Sequence, residues 1–188
     1  GDSVTFAGST QLTPDMNANY SLTGLTFDGT AGAFTLGSST GSTLTSGGDI
    51  VNNSSSAQTL NMPVVTSASQ TFNAVSGDLT FSSNVSLGGN TLTVDGSANT
   101  AIGGVISGTG GLTMNGSGNL VLSNANTFSG TLTLTAGTLV IGNDLACGAG
   151  TLNFNGPYGV TIQSADSTAH TVTNALNFGG NTTFAGTG

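Results

Sequence analysis

The sequence predicts an all-β chain wound as a parallel β-solenoid of about nine coils, each of roughly twenty residues. Three observations predict it. Short alternating runs such as TLTVDG, NLVLS and TLVIG fill the chain, with apolar residues on one face and Thr, Ser or Asn on the other. The exposed residues that favour helices are missing: there is no Lys, Arg or Glu, while Gly, Thr, Ser and Asn are poor in helix interiors. Finally, Leu92/Val94, Leu112/Met114, Leu132/Leu134 and Leu152/Phe154 fall twenty residues apart, with Val172 continuing the series and Phe72 opening it.

Taken in order, SVTFA, GLTFDG and AFTLG are strand-like, but over residues 1–70 the period is loose, and Leu12, Phe34 and Ile50 fit it only approximately. Over 71–188 the coils are regular. DLTFS, TLTVDG, GLTMNG, NLVLS, TLTLTAG, TLVIG, TLNFNG and GVTIQS follow one another with Gly, Asn and Ser at the corners, where left-handed backbone is tolerated. A second series runs Leu120/Leu122, Leu139/Ile141, Val160/Ile162 and Phe178. NDLACGA offers at most one turn of helix. The whole chain, 1–188, reads as a single domain. Its core column is expected to be Leu92, Leu112, Leu132, Leu152 and Val172, stacked about 4.8 Å apart in a rod roughly 40–45 Å long. Asn and Thr at repeated places are expected to ladder between coils.

Composition narrows the function. The net charge of −8 comes entirely from Asp, and the acidic residues are spread along the chain. Without Lys or Arg nothing neutralises phosphates, which argues against nucleic acid and against anionic membrane surfaces. No apolar run reaches the length of a membrane span, and trypsin-like proteases find no basic site to cut. The single Cys147 rules out an intrachain disulfide. GDSVTF at the start has no basic n-region of a signal peptide, so the chain reads as a mature or excised segment or as a cytosolic protein, and its composition favours the former.

The run from Gly108 to Gly156 resembles the autotransporter-associated β-strand repeat, also called the passenger-associated transport repeat, most strongly over 108–156. Gly108, Gly110, Leu112, Gly116, Gly118, Leu120, Leu122, Asn126, Phe128, Gly130, Leu132, Leu134, Gly137, Leu139, Ile141, Gly142 and Asn143 occupy its positions in order. Gly111 is an extra residue, and the basic residue common before the second G-x-G is missing. The resemblance implies a right-handed parallel β-solenoid in a large surface or secreted bacterial protein, mostly a non-enzymatic stalk, adhesin or passenger. The match covers about a quarter of the chain.

Candidate chemistry is thin. A carbohydrate-active β-helix needs clustered Asp or Asp beside a cation, and here the Asp are isolated. Asp78 and Asp95 are near one period apart and are the pair that stacking could unite, but a Ca²⁺ site needs six or more oxygens. His170 has no nucleophile or second ligand nearby in sequence and is expected to be exposed on a strand or corner. Cys147 is expected to be a small buried corner residue. Tyr20 and Tyr158, with no Trp, make a poor sugar-stacking platform. No catalytic residue, cofactor or metal ligand is expected.

Solenoid ends expose unpaired strand edges unless covered. Val4, Thr5 and Phe6 at one end and Thr182, Thr183 and Phe184 at the other are the expected assembly edges. The likeness of VTFAGST to TTFAGTG suggests a shared register across a junction. Unlike ends joining head to tail make an open filament. The sequence therefore favours an extracellular, non-enzymatic subunit, at a bacterial surface by the family resemblance, that stacks on copies of itself into a protease-resistant fibre. Host or neighbouring-cell surfaces are further candidate partners. A stalk segment of an autotransporter-like adhesin is the alternative, and a carbohydrate-active β-helix a distant one.

Overall fold

The computed structural model describes residues 1–157 and 159–186. Every strand pair in it is parallel, and together the strands form a β-solenoid of about nine turns with a spacing of about 21 residues. Three columns of rungs run along the rod. The long column starts with Asp2–Phe6 and Tyr20–Phe27 and continues through Ile50–Asn52, Gln70–Ala74, Leu92–Gly96, Leu112–Met114, Leu132–Leu134 and Leu152–Phe154 to Leu176–Phe178. The second sheet runs from Thr35–Gly37 to Thr182–Ala185. The short column holds Leu44–Ser46, Val64–Thr66, Val85–Ser86 and Ile106–Ser107.

The short and long columns meet in one strand. Tyr20–Phe27 pairs through Tyr20–Leu22 with Leu44–Ser46, and through Leu25–Phe27 with Ile50–Asn52. From the next coil on, a corner separates the two columns. Gly48 sits at that corner, where a Cβ would fall on the Thr23 carbonyl.

Alternation sets the core. Leu92, Leu112, Leu132 and Leu152 are Cα partners in consecutive rungs, and so are Phe72, Val94, Met114, Leu134 and Phe154 one step along. All are buried, and each contributes on the order of 1.5–3 kcal/mol by leaving water. Phe72 and Phe81 stack across the interior with ring centroids 4.2 Å apart. Outward positions carry short polar groups: Thr71, Thr93, Thr113, Thr133, Asn153 and Asn177 stand in line.

Two expectations change. Val172 does not continue the leucine column, because Leu152 pairs with Leu176. This coil advances the register by four residues more than the coil before it, most of them ahead of Ile162, and Val172 packs half-buried against the core instead. The same lengthening shifts the second series: Leu139 pairs with Ile162 and Ile162 with Phe184, while Phe178 belongs to the long column over Phe154. Asn143 to Ala149 forms consecutive turns, with Ala146 N–H to Asn143 O and Gly148 N–H to Leu145 O.

Candidate functional site

Beyond Ile106–Ser107 the short column has no further strand among the described residues, and one side chain takes over its pairing. The amide oxygen of Asn126 accepts the Ile106 N–H at 2.8 Å, and its Nδ2 donates to the Ala146 carbonyl at 2.7 Å. The backbone of the same segment bonds both ways, with Thr127 N–H to Ile106 O and Asn126 N–H to Leu145 O. Asn126 thus ties three coils together. Phe128 follows it, fully buried, and Gly130 follows that. Gly110, Gly130 and Gly150 stack at one corner, each so close to the carbonyl of the coil before that a Cβ could not be placed. Gly137 adopts φ 73°, the left-handed region that glycine enters without strain.

The carboxylates serve the corners as well. Asp15, Asp49 and Asp78 each accept a backbone N–H from the next coil: Ser39, Thr71 and Asn99 respectively. Asn19, Asn84 and Asn99 do the same for Thr43, Val105 and Asn119. The expected ladder between coils therefore exists, chiefly as side-chain oxygen to backbone amide. One run of it is side chain to side chain, from Asp95 through Asn115 to Thr135. Asp28 closes its own turn through the Thr30 hydroxyl and then the Thr30 N–H, and both hold its carboxyl below the usual range. Asp78 and Asp95 do not stack: Asp78 braces the second sheet, whereas Asp95 lies in the long column opposite Asn73. Among the described residues no group of His, Cys and Asp is placed to hold a metal ion, and no helix is long and apolar enough to cross a membrane.

His170 departs from its expected exposure. Its side chain is only 10% exposed, with Nδ1 3.1 Å from Asp144 Oδ1 and Nε2 3.8 Å from Asp166 Oδ1. Composition could not reveal this cluster, since Asp144 lies 26 residues away, about one lengthened coil. Cys147 is buried beneath the same turn, and burial pushes its thiol up to about 12, which keeps it protonated and inert. Tyr20 is exposed, and Tyr158 lies outside the described residues.

At the two ends the expected edges fall in different columns. Val4 and Phe6 pair with Leu25 and Phe27 in the long column, whereas Thr182–Ala185 belongs to the second sheet. The resemblance of VTFAGST to TTFAGTG is thus not a shared register, and Thr187 and Gly188 lie outside the described residues. Continuing the long column by one rung would set a Val4 over Phe178, through the partners Val4–Leu25 and Phe154–Phe178. Leu176, Phe178 and Phe184 are 44%, 54% and 62% exposed, although they occupy inward-facing positions.

Fold and side-chain roles together define a parallel β-solenoid rod whose distinctive residues hold coil to coil. Within it, residues 112–141 match the family model described as passenger-associated-transport-repeat. No curated protein and no solved structure matches the chain. The matched stretch contains Asn126, Phe128, Gly130 and Gly137, the residues that close the corners.

Proposed function

We propose that this chain is a non-enzymatic structural rod of a bacterial surface or secreted protein, a stalk of the passenger type whose work is to span distance and resist proteolysis. The observation that carries the reading is the match over 112–141, in which the motif residues are engaged in stacking coils. Protease resistance follows from the backbone: main-chain amides are paired between coils, and Lys and Arg are absent from the sequence. The Asp residues support the same reading, because those at the corners accept backbone amides rather than converging in a groove.

A second reading, head-to-tail stacking of copies into a fibre, is favoured by the apolar rungs at Leu176, Phe178 and Phe184. Electron microscopy of the purified chain tests both. Single rods roughly 40–45 Å long support the stalk. Long unbranched filaments of the same width support the fibre. Compact particles without an axis would end both readings.

A further inference from the structure

After the strand Val160–Ser164 the chain crosses back over the preceding coil, and its one imidazole holds that crossing segment down. Residues 164–171 leave the second sheet at Ser164, fold over the turn at Asn143–Cys147, and return at Val172. We propose that this segment is an acid-locked strap, with His170 as its latch between Asp144 and Asp166.

Asp144 Oδ1 sits 3.1 Å from His170 Nδ1 and also accepts the Thr171 N–H at 3.0 Å. A carboxylate only accepts, so Nδ1 carries the hydrogen in the neutral ring and Nε2 is left with a bare lone pair. That Nε2 is buried, has no hydrogen-bond partner, and faces Asp166 Oδ1 at 3.8 Å. In the neutral state two acceptors oppose each other. A proton on Nε2 turns the same contact into an attraction, with an imidazolium between two carboxylates.

The titratable groups recorded against His170 among the described residues are those two aspartates, one from the preceding coil and one from the strap itself. The other titratable group of the turn, Cys147, stays a neutral thiol. Asp144 is held below the usual carboxylate range, first by the Thr171 N–H and then by His170; Asp166 is held there chiefly by the Thr168 N–H. Both therefore remain charged throughout the roughly pH 5–8 range in which the strap is probed. The strap also walls a cleft of ≈ 300 Å³ lined by Ile141, Ile162, Val172 and Phe184.

His170 is the only histidine, so proton NMR reads its titration without overlap. The test pairs that titration with amide exchange at Thr168 and Thr171 from pH 5 to pH 8, corrected for intrinsic rates. The expected result is several-fold slower exchange at the acid end, with the same midpoint as the imidazole. Asp166→Asn should lower the midpoint by about half a unit or more. His170→Gln should leave strap exchange flat over the same range, with the circular dichroism of the rod unchanged. An equal midpoint in wild type and Asp166→Asn, or wild-type exchange that merely follows the intrinsic curve, would overturn the proposal.

Discussion

Asn126 shows how one side chain can stand in for a strand. Its amide satisfies a buried N–H on one neighbouring coil and a buried carbonyl on the other, so truncation leaves both without partners. Asn126→Ala should cost about 3 kcal/mol in chemical denaturation, whereas Thr113→Ala, on the outward side of the long column, should stay within about 0.5 kcal/mol. Equal costs would mean that the amide is not what joins the coils. The positions of Asn126, Phe128 and Gly130 were legible in the sequence as a pattern. Their roles were not, because an amide that serves coils 20 residues away on either side leaves no local signal. The His170 cluster was hidden for the same reason, made worse by lying in a coil longer than the regular ones before it.

At the scale of rungs and corners, constant coil length decided what could be read. From Leu92 to Leu152 each coil advances by twenty residues, and the stacked leucines follow directly from the sequence. Where the last coil lengthens, extrapolation placed Val172 where Leu176 stands and set Phe178 in the wrong sheet. Periodicity cannot foresee an insertion whose residues are as polar as any other corner. The corners also set an acid limit. Asp15 is held below the usual carboxylate range by the Ser39 hydroxyl and then the Ser39 N–H; Asp28, Asp144 and Asp166 are lowered as well. A depressed folded-state value means that the stabilisation is fully present above the unfolded value, about 3.9 for Asp, and is lost as pH falls through the folded one. The melting temperature should therefore decline as pH falls below about 4. A melting temperature that keeps rising below about pH 4 would show that these carboxylates do not brace the corners.

Over the whole rod, charge of a single sign opposes the pull of an apolar end. The net charge is −8 at pH 7 with no Lys or Arg to offset it, and the isoelectric point is ≈ 4.1. Two such rods repel at neutral pH, and salt screens that repulsion beyond roughly 8 Å at physiological strength. At the last rungs Phe178 stacks on Phe154 with centroids 5.0 Å apart and leaves its other face to solvent, beside Phe184. If rods join through this end, association should grow as pH drops from about 7 toward 4.5 or as salt rises, and particles should lengthen rather than thicken. Phe178→Asp tests the contact directly. Losing one aromatic stack costs the monomer about 1 kcal/mol, too little to unfold a rod held along its whole length. The same change puts a carboxylate where a further rung would sit, which should abolish growth in length by sedimentation and microscopy. Growth that persists in Phe178→Asp places the contact on the sides of the rod. In that event the outward rows of Thr and Asn, not the apolar rungs, are what one rod offers to another.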